Sequence, residues 1–332
     1  MEEDSISSSS TPTVPQIYNF QNPLSLFAAI LVLIIGSFGV VTNWSIIWIF
    51  YQEKSERTSF NLICVFRAAS NVIILTTSFL AIFFIKTVTG FSIYPHALES
   101  WLIHLSLSLY LGNEYQVILI AGNRFCSLFL PRWYPLIWRI VPTLTVLTAI
   151  YLYRVFRVIY EMVPHTANGC YTLYYPEALS WGYDPQERCK KEDDILDVIL
   201  YTFVIMSCVN VVTFLKIINF YWSRNQTMDR ETRKRIRRNA VLFFQTLLQD
   251  SLYLIDLTFT FKLSLLSTDR FWTFISGTLV WECLHSIDGF IMIMFNERLS
   301  FLKKRFQPTP SVTVTHAGHL NTISVVNLPS VG

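Results

Sequence analysis

Seven stretches of this chain are long and apolar enough to cross a hydrocarbon slab of roughly 30 Å, which takes about 20 helical residues. They run approximately over 24–50, 60–85, 101–128, 140–160, 194–221, 239–263 and 271–295. Composition agrees: 52% of the 332 residues are hydrophobic and 15% charged, with a mean hydropathy of +0.41. That is too apolar for a water-soluble globule of this size. The 26 Phe, 16 Tyr and 9 Trp suit a lipid-facing surface and interfacial belts. The fourth stretch, interrupted by Arg154 and Arg157, is the least apolar.

Lys and Arg set the orientation. With the N-terminus outside, the connections place about sixteen of them on the cytoplasmic side and about six outside. The inner set is Lys54 and Arg57; Arg124, Arg132 and Arg139; seven from Arg224 to Arg238; and Arg298, Lys303, Lys304 and Arg305. The dense basic run lies between two apolar spans, so no nucleic-acid partner is read. Met1-Glu2-Glu3-Asp4 and the polar residues after it carry no basic n-region, so the first span is expected to act as its own insertion signal. Residues 1–23 and 307–332 are expected to be disordered tails, outside and cytoplasmic respectively. Between bundle and tail, 296–306 puts Leu299, Leu302 and Phe306 on one face and basic groups on the other, as an amphipathic helix on the inner leaflet does.

The first span carries Gly36, Gly39 and Asn43, small residues that permit close helix approach and one amide needing a partner. At the inner end of the third stand Asn123, Arg124 and Phe125, followed by Pro131 and Tyr134. They resemble the acid-Arg-aromatic receptor motif with Asn for the acid, although an Arg at a helix end also snorkels to the interface. The seventh runs Trp281-Glu282-Cys283-Leu284-His285-Ser286-Ile287-Asp288-Gly289, with Asp288-Gly289 where rhodopsin-like receptors place Asn-Pro. With Cys170 and Cys189 flanking Trp181, and Gln249, Asp250 and Asp256 in the sixth span, the chain resembles the nematode serpentine receptor class X family over roughly 24–306. The resemblance implies an all-α membrane protein, a seven-transmembrane bundle of the rhodopsin-like G-protein-coupled receptor type. It further implies a chemosensory receptor in the plasma membrane of sensory neurons, the cilium included, coupled to a heterotrimeric G protein. The second span lacks the usual Asp, the sixth the Pro and Trp, and the third the Cys, which puts the standard activation switches in doubt.

Cys170 and Cys189 share the long outer connection, where an oxidising environment permits a disulfide closing about eighteen residues. Ionisable groups within spans need partners or water: Arg67, Glu114, Asp250, Asp256, Glu282, His285 and Asp288. At 1.5 Å per residue, Arg67 and Asp288 both lie about 12 Å from the inner end, which predicts a bond linking spans two and seven. Such a bond is either an activation switch or a static pair. Gln249, Tyr253 and Asp256 share one helix face, and Glu282, His285 and Asp288 recur by three. Glu114, Tyr253, Asp256, Glu282 and His285, with Arg154 and Arg157 as further candidates, are expected to surround a small-molecule pocket. The same acids with a His also suit an ion channel or proton-coupled transporter. Arg235 and Arg238, in the basic third inner connection, are candidates for contact with anionic lipid or a G protein. No Gly-rich phosphate loop, His pair at metal spacing or Ser/His/Asp set at one depth is found, so neither an enzyme nor a cofactor is read.

Overall fold

The computed structural model describes residues 22–183, 189, 195–222 and 230–295. The expected amphipathic helix at 296–306, the 307–332 tail and nearly all of the 1–23 tail lie outside them.

The first helix, α1 (Pro23–Gln52), starts where the Asn22 side chain accepts the Leu24 N–H at 3.0 Å, with Pro23 at the first position. Thr58 caps α2 (Ser59–Ile74) in the same way. This helix continues through a π-helical stretch, Leu75–Phe84, into α3 (Ile85–Thr89) and stops at Gly90, whose φ of +78° suits a residue without a side chain. Next come α4 (His96–Phe129), the single turn α5 (Tyr134–Ile137) and α6 (Ile140–Ala167). Strands β1 (Thr172–Tyr175) and β2 (Ser180–Tyr183) pair antiparallel, Thr172 opposite Tyr183 and Tyr175 opposite Ser180. The chain closes with α7 (Ile195–Trp222), α8 (Arg230–Phe261), α9 (Arg270–Phe274), a second π-helical stretch Ile275–Leu279, and α10 (Val280–Phe295).

Five of these runs are apolar enough by length and composition to cross a membrane: Pro23–Gln52, Ser59–Thr89, Ile199–Asn219, Asn239–Leu266 and Arg270–Phe295. The other long helices, α4 and α6, are more polar for different reasons. α4 packs against α2, α6, α7, α8 and β1, so its Ser106, Asn113, Glu114, Gln116 and Arg124 are buried against protein. α6 lies at the rim and buries only Thr143, Leu147, Val158 and Met162. Polarity is distributed inversely to that of a water-soluble protein. Ile34, Trp44 and Trp48 of α1, Phe156 and Tyr160 of α6, and Val204 and Leu215 of α7 are exposed, while Asn43, Arg67, Asn71, Asn113 and Asp288 are fully buried. A membrane bundle has this arrangement, because lipid accepts apolar surface and leaves interior polar groups to satisfy one another.

Helix α1 approaches α10 closely at two glycines. A Cβ on Gly39 would collide with Ser286 and Leu75, and one on Gly289 would lie 2.5 Å from the Asn43 amide nitrogen.

The hairpin adds to the expectation, which is only of a long outer connection carrying Cys170 and Cys189. Helix α6 runs on to Ala167, and two short strands rich in aromatic residues fold back over one end of the bundle. Tyr174 and Leu179 are fully buried. The Tyr174 N–H donates to Glu99 Oε1 at 2.9 Å, its hydroxyl meets that of Thr87 at 2.7 Å, and the Thr172 N–H donates to Ser100. Burial pushes the Tyr174 phenol above its ordinary pKa, so the hydroxyl stays protonated. Lys86 neutralises Glu99 at 3.0 Å. Leu179 sits in the left-handed region at φ 52°, a strain of about 1–2 kcal/mol. Its carbonyl is held there by the Thr278 hydroxyl at 2.9 Å. Arg270 donates to the Pro176 carbonyl of the hairpin turn and to Ser25 of α1, both at 2.7 Å.

A disulfide joins Cys170 to Cys189 across a sequence separation of 19. Closing a loop of this length restricts the unfolded chain by about 3 kcal/mol. Cys170→Ser should therefore lower the melting temperature of the purified protein, and dithiothreitol should reproduce that loss in the wild type but not in the variant.

Candidate functional site

The described polar groups concentrate in three places along the bundle axis. At the centre, Arg67 of α2 donates through Nε to Asp288 Oδ2 of α10 at 2.8 Å, both side chains about 1% exposed. Asp288 also accepts from Asn71 Nδ2 at 2.8 Å and, at its other oxygen, from Gln249 Nε2 of α8 at 2.7 Å. Asn71 donates to Asn43 Oδ1 of α1 at 3.1 Å and accepts from Asn113 of α4 at 3.0 Å and from His285 Nδ1 at 2.9 Å. Asn43 returns a bond to the His285 carbonyl at 3.1 Å. Tyr151 of α6 donates to Asn113 and accepts from Ser70. The Arg67 guanidinium lies 4.8 Å from the centre of the Tyr253 ring. One connected network therefore ties α1, α2, α4, α6, α8 and α10 together, and a displacement of α8 relative to α2 and α10 has to break or re-form the Gln249 and Tyr253 contacts.

Toward the hairpin, Tyr110 of α4 is the hub of a second cluster. Its hydroxyl donates to Asp256 Oδ2 at 2.9 Å. Its ring stacks on Tyr253 at 5.7 Å and meets His285 at 6.0 Å and Trp281 at 6.5 Å edge-on. Glu114 lies one turn along the same face of α4. Trp181 of the hairpin covers Trp281 edge-on at 6.2 Å. Asp256 Oδ1, Glu114 Oε1, the Tyr253 hydroxyl and His285 Nε2 are buried without a hydrogen-bond partner.

Of the residues expected to surround a pocket, Glu114, Tyr253, Asp256 and His285 thus come together around Tyr110. Glu282 departs from the expectation: its carboxylate lies against Gly36 of α1, where an added Cβ would be 2.8 Å from Oε1. Arg154 and Arg157 stay outside the cluster as well. Arg154 donates to Ser108, and Arg157 pairs with Glu161 at 2.6 Å on the half-exposed rim. Tyr110, Asn71, Asn113 and Tyr151 carry no sequence signal of their own, because an uncharged polar or aromatic residue in a span reads as packing, and Trp281 enters only as part of the seventh-span run. Among the described residues no group of three or more His, Cys, Asp or Glu is placed to hold a metal ion.

At the opposite end a cleft of about 1270 Å³ opens between α2, α4 and α8, lined among others by Thr58, Asn123, Arg124, Trp138, Arg237 and Gln245. Arg124 is buried, its guanidinium 3.9 Å above the Phe60 ring. Asn123 donates to Ser59 and accepts from Tyr134, each at 3.4 Å, and Phe125 stacks on Phe129. Arg57, Arg139 and Arg237 add positive charge to this lining. Arg235 and Arg238 belong to the first turns of α8, but their side chains lie outside the described residues.

Residues 33–296 match the family described as serpentine type 7TM GPCR chemoreceptor Srx. The match runs from within α1 to one residue past α10. No curated protein matches the chain.

Proposed function

Because this chain belongs to the serpentine type 7TM GPCR chemoreceptor family Srx, we propose that it is a plasma-membrane receptor for an external small molecule. In this reading the molecule binds among Tyr110, Glu114, Tyr253, Asp256 and His285, and the Arg124 cleft receives a heterotrimeric G protein. The N-terminus and hairpin face outward and the C-terminus faces the cytoplasm. The Lys and Arg excess at the Arg124 end favours that orientation, as does the disulfide at the other end.

The observation that carries the reading is the continuity of the two polar clusters. His285 touches Tyr110 on one side and donates to Asn71 on the other, and Tyr253 stacks on Tyr110 while facing Arg67. A ligand that draws α8 and α10 to a new spacing at Tyr253 and His285 therefore acts on the Gln249–Asp288 and Arg67–Asp288 bonds. Two arrangements of those bonds supply the two states, and differential affinity for them supplies the shift. In the second state α8 stands away from α4 at its inner end. The basic lining there, with Asn123, Arg124 and Arg237, meets an acidic or carboxylate-terminated segment of the partner, and Arg235 and Arg238 are the further candidates for that contact.

Reconstitution with a G protein tests this. Nucleotide exchange above the receptor-free rate is expected, and Arg124→Ala should reduce it at least about tenfold, the loss of one buried charge-assisted contact. Ion flux across receptor-only vesicles, with no exchange when G protein is added, would establish a transport function in its place.

A further inference from the structure

The cluster around Tyr110 has an imbalance of charge and of hydrogen-bonding sense. Among the described residues, Glu114, Asp250, Asp256, Glu282 and Asp288 are buried acids of the interior, and Arg67 is the basic side chain buried with them, its Nε committed to Asp288 and its Nη2 without a hydrogen-bond partner. Lys86 is paired with Glu99 beneath the hairpin. Arg154 donates to Ser108 at the α4–α6 seam, and Arg124 lies at the far cleft. Asp250 receives Asn210 at 2.9 Å. Asp256 and Glu114 are left with Tyr110 as the one neutral donor seen, to Asp256 Oδ2.

Three of the four unmatched atoms of this cluster are acceptors, and the fourth, the Tyr253 hydroxyl, can donate or accept. Asn71 Oδ1 can only accept, so His285 Nδ1 carries the proton of that bond and Nε2 of the neutral ring is an acceptor. Asp256 Oδ1 and Glu114 Oε1 are acceptors whenever ionised. Three acceptors thus cluster beside the rings of Tyr110, Tyr253 and Trp281, and the Arg67 guanidinium over the Tyr253 ring shows that this aromatic set accepts a cation. An anion would be repelled here, and a purely apolar guest would leave buried polar atoms unmatched at a cost of about 1–3 kcal/mol each.

We propose that the ligand is a small organic cation, an amine, whose ammonium group binds Asp256 Oδ1 and whose hydrocarbon part packs against Tyr110, Tyr253 and Trp281. Glu114 and His285 accept its remaining N–H donors. Trp181, edge-on against Trp281, borders the cluster on the hairpin side. This rests on the receptor reading above and narrows its ligand to one chemical class.

The test is a charge series on the full-length protein in nanodiscs, read as ligand-dependent change in melting temperature. Primary amines from methylamine to benzylamine are compared with the alcohol and carboxylate of matching shape. Saturable stabilisation by one or more amines, at least about tenfold weaker for the matched alcohol and absent for the carboxylate, is expected for a buried charge-assisted contact. Asp256→Asn, which keeps an acceptor for Tyr110, should lose that stabilisation by a similar factor. If that variant does not fold, the wild-type charge series decides alone. A carboxylate or alcohol that binds as tightly as its amine overturns the proposal, as does silence of the whole amine series. Nucleotide exchange by the unliganded wild type separates the two readings. Exchange without amine preference overturns the cation alone, whereas amine binding without exchange overturns the receptor and keeps the site.

Discussion

Arg67→Ala is expected to destabilise the bundle by about 3–5 kcal/mol, the usual cost of removing one partner of a buried ion pair. The cost arises mainly from what is left behind. Asp288 is about 1% exposed, and without the guanidinium its charge would rest on two neutral amides, Asn71 and Gln249. Asp288→Asn should cost less than Asp288→Ala, because one amide oxygen can still accept from Asn71 or Gln249. The double exchange Arg67→Asp with Asp288→Arg should recover part of the loss. Thermal unfolding in detergent and delivery to the cell surface both report the effect. A melting temperature for Arg67→Ala equal to that of wild type would mean the pair contributes nothing to the folded state.

Gly289→Leu should be comparably severe through sterics. Its Cβ would lie 2.5 Å from the Asn43 amide nitrogen and 2.6 Å from its carbon, and α1 cannot retreat without opening the contacts of Gly39 with Ser286. Overpacking of this kind costs about 1–3 kcal/mol, and displacing Asn43 from the His285 carbonyl and Asn71 adds about 1–3 kcal/mol for each buried group left unmatched. Gly277→Leu is the control, since no atom lies within 4 Å of an added Cβ there. It should be delivered normally while Gly289→Leu is retained inside the cell.

The helical bundle was legible because lipid forces long apolar runs, whereas helix ends beyond hydrocarbon are under no such constraint. That is why α8 begins at Arg230, nine residues before the apolar run at 239, and why α4 begins at His96 instead of 101. The Arg67–Asp288 contact could be anticipated from depth alone, because a fixed rise per residue turns position into height and a buried charge requires an opposite one. Its neighbours could not, since Asn71, Asn113 and Tyr151 carry no charge to reveal them.

Helical phase explains which pocket residues met. Gln249, Tyr253 and Asp256 advance by four and three, about +40° and −60° at 100° per residue, and so keep one face toward Asp288, Arg67 and Tyr110. Glu282, His285 and Asp288 advance by three twice and drift about 120°. They consequently point to Gly36, to Tyr110 and to Arg67 in turn. The hairpin left little trace: its four-residue strands are too short for a periodic pattern, and only the aromatic content of Thr172–Tyr175 and Ser180–Tyr183 marks them.

Both halves of the account, a ligand site under the hairpin and a G-protein cleft around Arg124, depend on which end of the bundle faces the cytoplasm. Glycosylation mapping tests that most directly, with acceptor sites placed in the N-terminal tail and at the Asn168–Gly169 turn. The native sequon Asn225-Gln226-Thr227 serves as the inner probe. Modification of the two introduced sites with Asn225 untouched is the predicted result. Modification at Asn225 with both introduced sites bare would turn the bundle over, place Arg124 outside the cell and contradict the account.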